Sequence, residues 1–224
     1  DYTRFLDPNG MRGARIGVAR KFFGFNEKVD RLMDEAIAIM KHLGAEILDP
    51  ADVATADRLE GTEFEVLLYE FKTNINTYLA GLDSSIPVHS LKDVIDFNER
   101  HREEVMPYFG QDILLQAEGK GPLTDEDYIN ALETNRRLAR EEGIDAALRE
   151  HRLDAILAPS GGPAWLTDLV TGDHHSGGSS TPAAVAGYPN ITVPAGYIHG
   201  LPVGISFFAA AYQEPTLIKL AYAF

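Results

Sequence analysis

Apolar residues along this chain follow two alternating rhythms. Short apolar or β-branched runs at residues 15–19, 45–48, 153–159, 190–194 and 202–208 read as strands. Longer stretches between them place apolar side chains three and four residues apart, the spacing of an amphipathic helix. In the first strand Ile16 and Val18 fall on one side and form its buried face. Asn26 stands where a helix cap belongs, and Val29, Leu32, Met33, Ala36, Ile37, Met40 and Leu43 follow at helical spacing. Gly44 ends that helix, and the 45–48 strand runs into Asp49-Pro50. Strand, helix and strand in such a short span predict a βαβ unit with a right-handed parallel crossover.

Further along, the spacing predicts a helix over 61–79, with Phe64, Leu67, Leu68, Phe71 and Ile75 near one buried stripe. A loop broken by Pro87 leads to a helix over 91–105 that stops before Pro107. Another short helix is expected within 108–117. Thr124 and Asp127 make a capping-box-like start for a helix reaching about Glu141, and Gly143 interrupts it before a last turn or two over 144–150. The strand at 153–159 is continuously apolar after Asp154, as expected where both faces are covered. At the far end, Thr181-Pro182 reads as a helix cap and first turn, and Gly187 terminates the helix. A hairpin follows, in which Val203, Ile205 and Phe207 share one face and His199-Gly200 closes the turn. On periodicity alone this fits equally a core hairpin with no role in function. No repeat, heptad or low-complexity linker appears, so the expectation is one α/β unit over residues 1–224, a mixed β-sheet flanked by helices whose strands need a partner edge.

Composition narrows the picture only a little. A net charge of −14 argues against a general nucleic-acid binder, because no basic stripe is present to displace phosphate counterions. With no cysteine there is neither a disulfide framework nor a thiolate metal site. No apolar run reaches the roughly 20 residues of a membrane helix, so no membrane partner is expected. The chain opens on Asp1 and stops at Phe224 inside an apparent helix. Both ends read as cuts, so a targeting signal could be missing; the cytoplasm is favoured without being fixed.

The strings AVAGYPNITVPAG at 184–196 and GLPVGISF at 200–207 carry more information than the composition. They closely resemble the C-terminal signature of amidase-signature hydrolases, nearest to the peptide-amidase-like enzymes related to the aminoacyl-tRNA amidotransferase A subunit. GARIGV at 13–18, LLYEFK at 67–72, GID at 143–145 and LDAILAP at 153–159 extend the resemblance over most of the chain in the same order and spacing. It implies the C-terminal part of the amidase-signature fold and hydrolysis of a carboxylic amide through an acyl-serine intermediate, with no metal or organic cofactor. The family's lysine, cis-linked serine and serine nucleophile lie in a Gly/Ser-rich segment of the N-terminal half, which this sequence does not contain. No catalytic residue is therefore expected in this chain. The implied partners are a small-molecule or peptide amide substrate and the missing half of the same protein. A homodimer stays open, and so do a non-catalytic binding remnant and part of a tRNA-dependent amidotransferase.

Several clusters imitate chemistry. The segment at 176–180, Ser-Gly-Gly-Ser-Ser, matches the start of the family's nucleophile motif, but Thr181-Pro182 follows where further glycines are needed, and proline offers no N–H to an oxyanion. Ser179 and Ser180 therefore read as a pocket-rim loop. Asp173, His174 and His175 lie beside them, yet adjacency guarantees neither a triad nor a metal site. His101 and Glu104 have a metal-compatible spacing within a run of charges that reads as a solvated helix face. Segments leaving the carboxyl ends of strands commonly line the ligand crevice of an α/β sheet. The substrate-pocket candidates are accordingly Trp165, Thr171, Asp173 and Ser180 after the 153–159 strand, with a plain packing anchor the more common role for a tryptophan such as Trp165. Tyr69 and Gln111 join them from stretches resembling the family's second half.

Overall fold

The side chain of Asn26 accepts hydrogen bonds from the backbone N–H groups of Lys28 and Val29, satisfying donors that every helix start leaves bare. The helix it opens buries Val29, Met33, Ala36, Ile37 and Met40 at the expected spacing. Just past its end Gly44 adopts a left-handed φ of 95°. In the computed structural model, which describes Asp1–Phe224, this helix is α1 (Glu27–His42) and joins β1 (Arg15–Val18) to β2 (Glu46–Leu48). Five helices follow, α2 (Glu60–Ala80), α3 (Leu91–Arg100), α4 (Arg102–Val105), α5 (Asp112–Glu118) and α6 (Glu126–Arg136). A π-helical stretch, Arg137–Ile144, leads into α7 (Asp145–His151) and β3 (Ala155–Pro159). The chain closes with α8 (Thr181–Ala186), β4 (Asn190–Ile198), β5 (Leu201–Phe208) and α9 (Glu214–Ala223). Although the sequence offers no linker, the backbone gathers into two compact units, which are described in turn.

The first unit comprises Asp1–Leu59, Asn135–Asp168 and Asp173–Phe224. Its five-stranded sheet has the order β2-β1-β3-β5-β4. β1 pairs in parallel with both β2 and β3, so the βαβ unit forms as expected. β3 pairs antiparallel with β5, and β5 antiparallel with β4. All five residues of β3 are buried because both faces are covered. Ala155 and Leu157 join Ile16, Val18, Val203, Ile205 and Phe207 against α1 and α9. Ile156, Ala158 and Phe208 face the other way, onto Leu138, Ala139, Ala147, Ala183 and Ala186 of the π-helical stretch, α7 and α8. His199 and Gly200 close the hairpin with φ of 52° and 81°, the paired left-handed geometry that matches strand twist.

Three local expectations shift. α8 starts at Thr181 with Ser180 in the cap position and Pro182 in the second helical position. β4 extends to Ile198 because pairing resumes through a bulge between Pro194 and Gly196. Pro194 is tolerated because β4 is an edge strand, where a missing N–H interrupts no ladder on its outer side. The Gly143 interruption is a widened helical turn. The backbone of Gly143 leaves helical space, and the carbonyl of Leu138 accepts instead from the buried Thr55 hydroxyl at 2.7 Å.

The second unit, Glu60–Thr134 with Leu169–Gly172, is helical. The helix over 91–105 breaks at His101, and the Thr124 cap is replaced by a start at Glu126, two residues later. α2 shows the largest departure. Its buried residues are Val66, Leu68, Tyr69 and Leu79, whereas Phe64, Leu67 and Phe71 of the expected inward stripe are exposed. Polar anchors decide this orientation. Lys72 Nζ donates to the carbonyls of Glu118 and Lys120 at 2.6 and 2.7 Å, and Lys120 Nζ bonds Glu65 at 2.6 Å. Asn76 Oδ1 accepts from the N–H of Leu91 at 2.7 Å. Two small apolar clusters fill in beside these bonds, Val66 and Tyr69 with Tyr128 and Ala131, and Leu68 with Leu91, Ile95 and Ala117.

At the end of β2, Arg20 grips Asp49 through two hydrogen bonds of 2.8 and 2.6 Å and reaches Asp34 at 2.9 Å. The Arg20 hydrogen bonds hold the Asp49 carboxyl below its ordinary value. A depressed carboxylate contributes stability that is present above the unfolded-state pKa of about 4 and is lost as pH falls through the folded-state value. Asp49→Asn is expected to lower stability at pH 7 by roughly 1 kcal/mol, and the difference between the two proteins is expected to shrink as pH falls from about 4 toward 3. Urea unfolding of both proteins across this pH range checks this.

Candidate functional site

The carboxyl end of β3 opens into a long loop, 160–180, and the local sequence explains how the loop is pinned. Ser160 extends the β3–β5 ladder by donating its N–H to the Gly204 carbonyl at 3.0 Å. A side chain at Gly204 would collide with Thr192 Cγ2 and with Ser160 Oγ, at 2.7 and 2.8 Å, so the glycine makes room for Ser160 to lean inward. There Ser160 Oγ lies 2.8 Å from Ser206 Oγ and 3.2 Å from Thr192 Oγ1, and the last two lie 2.9 Å apart. This triangle of hydroxyls joins β4, β5 and the end of β3. Sequence reasoning misses it, although Thr192 and Ser206 are polar positions within the hairpin strands, Ser206 on the face opposite Val203, Ile205 and Phe207, and that alternation is the available signal.

The returning limb of the loop is fixed to the outgoing one. Gly161 pairs with Gly178 in an antiparallel bridge. Ser179 is buried, and its hydroxyl donates to the Pro159 carbonyl at 2.8 Å. A serine held by a carbonyl is a structural latch; no base is positioned to take its proton. A Cβ at Gly162 would stand 2.5 Å from Ser176 Oγ, so a side chain there requires Ser176 to turn away, and Gly177, at φ 74°, packs on Phe25. At the other end of α8, Arg140 Nε donates to the Ala186 carbonyl at 2.7 Å, and Tyr188 donates its phenol to Asp145 at 2.9 Å. Burial pushes the Tyr188 phenol above its ordinary value, and the Asp145 contact adds to the shift.

Of the six pocket candidates, the structure brings Trp165 and Asp173 together, the indole N–H donating to the carboxylate. His175 meets the same indole edge-on at 5.8 Å. Asp173 and His175 thus engage an indole and do not form a base–nucleophile pair with Ser179. Ser180 is exposed at the α8 cap position. Thr171 falls in the second unit, as do Tyr69 and Gln111.

Tyr69 is buried, tilted against Tyr128 at 5.5 Å, and its hydroxyl reaches Asp125 at 3.4 Å. Burial raises its phenol above the ordinary value, and the Asp125 charge works in the same direction. Gln111 bonds Asn98 and the Ile95 carbonyl, each at 3.2 Å, tying α3 to the start of α5. The two therefore serve separate packing sites. His101 bonds the Phe97 carbonyl at 2.9 Å and stacks on the Phe97 ring, which accounts for it without chemistry.

Comparison with known proteins gives concordant results. The family profile described as Amidase matches residues 3–218. A solved peptide amidase in complex with the competitive inhibitor chymostatin is 42% identical with a TM-score of 0.93, across 100% of this chain and 45% of that one. A probable amidase of Arabidopsis thaliana is 34% identical, across 100% of this chain and 40% of that protein. The A subunit of the glutamyl-tRNA(Gln) amidotransferase of Pseudomonas savastanoi is 25% identical, across 100% of this chain and 47% of that protein. The chain thus spans less than half the length of these relatives.

Removing the latch tests its structural role. Ser179→Ala strands the Pro159 carbonyl and is expected to cost about 1–2 kcal/mol. The urea midpoint reports that loss.

Proposed function

The chain belongs to the amidase family, and on that footing we propose that it is the C-terminal portion of an enzyme that hydrolyses a carboxylic amide to the acid and ammonia or an amine. The observation that carries this reading is the match to a peptide amidase over the whole chain, in sequence and in backbone together. The chemistry is assigned to residues upstream of these. A serine hydroxyl there attacks the amide carbon while a lysine, acting through a cis-linked serine, takes its proton. Backbone N–H groups hold the oxyanion, the protonated nitrogen leaves, and water releases the acyl group from the serine. This scheme requires neither metal nor organic cofactor.

Within that scheme the loop after β3 shapes the acyl or peptide side of the cleft. Trp165, Asp173 and Ser180 are assigned to the substrate. Trp165 offers an apolar wall whose polar edge is already held by Asp173, so the ring is fixed before a ligand arrives. Tyr69 and Gln111 already have internal partners and are assigned a packing role. No contact is assigned to Thr171.

A tRNA-dependent amidotransferase is the second reading, supported by the 25% identity to one of its A subunits. The net charge of −14 weighs against direct RNA contact by these residues. A gel shift with tRNA separates the two readings. No helix here is long and apolar enough to cross a membrane.

The complete gene product is expected to release ammonia from a C-terminally amidated peptide, and the 224-residue chain alone to release none. Trp165→Ala in the complete protein should raise KM several-fold with little change in kcat, as expected for a wall that binds ground state and transition state alike. Ammonia release by the 224-residue chain, abolished by Ser179→Ala, would overturn the assignment.

A further inference from the structure

α2 is mounted with its hydrogen-bonding side inward and its apolar side outward. Glu65, Tyr69, Lys72 and Asn76 recur at intervals of four, three and four residues, and each bonds a neighbouring segment of its own unit. On the opposite side Phe64, Leu67, Phe71 and Tyr78 are 40%, 54%, 41% and 66% exposed. At 3.6 residues per turn these four fall within an arc of roughly 60°. Phe64, Leu67 and Phe71 form a contiguous apolar stripe on the 21-residue helix, and Tyr78 lies on the same side about two turns further on. Scattered exposed apolar residues need no explanation, but a contiguous stripe on a regular element does. At its amino-terminal end, Glu60, Gly61, Glu63, Phe64 and Leu67 line a recess of about 590 Å³.

We propose that this stripe is the seat of the remaining part of the amidase polypeptide, which lays an apolar segment along Phe64, Leu67, Phe71 and Tyr78 and sets a lysine or arginine beside Glu60. The inference rests on the reading of the chain as one portion of a longer amidase. Two observations select this occupant over a second copy of the chain. The peptide amidase that shares this backbone at a TM-score of 0.93 is more than twice as long, so over half of its residues lie outside the shared portion and must pack somewhere. A second copy would also bring another −14 charge, and another Glu60, against the same acidic end of the helix.

The test uses the complete gene product carrying Leu67→Cys, Phe71→Cys or, as a loop control, Ser84→Cys. Site-resolved maleimide labelling is compared before and after unfolding in guanidinium. The stripe thiols are expected to label at least about tenfold more slowly in the folded protein than in the unfolded one, while the control changes little. Equal labelling of stripe and control thiols overturns the proposal. Protection that fades on dilution also overturns it, because the cover is then a second copy. So does protection that appears only when an amide inhibitor is added, because the stripe then belongs to the substrate site. Ammonia release by the same preparations reports separately on the enzymatic reading. An active protein with unprotected stripe thiols sinks this inference alone.

Discussion

The burial of β3 on both faces is the constraint on which the first unit depends. A strand with side chains in two cores must have a neighbour on each edge and a layer on each side, because any exposed backbone group or methyl would go uncompensated. β1 and β5 supply the edges, one parallel and one antiparallel. α1 and α9 cover one face, and the π-helical stretch, α7 and α8 cover the other. The loop that carries the candidate substrate residues leaves from the end of this fully enclosed strand. Precision at the site therefore comes from the core.

The second unit follows a different logic. Its apolar clusters are small, and α2 is oriented chiefly by charge-assisted hydrogen bonds from Lys72 and Lys120. Such bonds fix direction strongly while contributing modest net stability. A helix held this way can keep its apolar stripe free for another part of the protein. The two units thus illustrate two ways of fixing an element, by enclosing it or by tethering one side.

Much of the first unit is legible in the sequence because each signal in it is local. Asn26, Gly44, His199 and Gly200 act on neighbouring residues, and the alternation of Val203, Ile205 and Phe207 leaves one possible inward face. α2 is not legible in this way because its inward side is chosen by Glu118, Lys120 and Leu91, well outside the helix, and helical spacing contains no trace of them. The site divides along the same line. The loop position of Trp165, Asp173 and Ser180 follows from the end of a strand. The hydroxyl triangle depends on Gly204 making room for a serine 44 residues earlier. Tyr69 and Gln111 stand out only by resemblance, and resemblance does not distinguish a side chain that touches ligand from one that holds a wall in place.

The widened turn before α7 has a consequence for how this chain tolerates changes in length. With Leu138 and Ala139 buried at one end and Ala147 and Leu148 at the other, the apolar face continues in phase only because the intervening turn holds an extra residue. Closing that turn into an ordinary α-helix with every residue kept would rotate everything after it by about 100°, carrying Ala147 and Leu148 toward water, whereas losing one residue together with the widening would leave the phase as it is. The bulge works as a phase corrector. The turn can therefore lose its extra residue without disturbing the layer beyond it, while Leu138, Ala139, Gly143 and Ile144 are held to their residue types by burial.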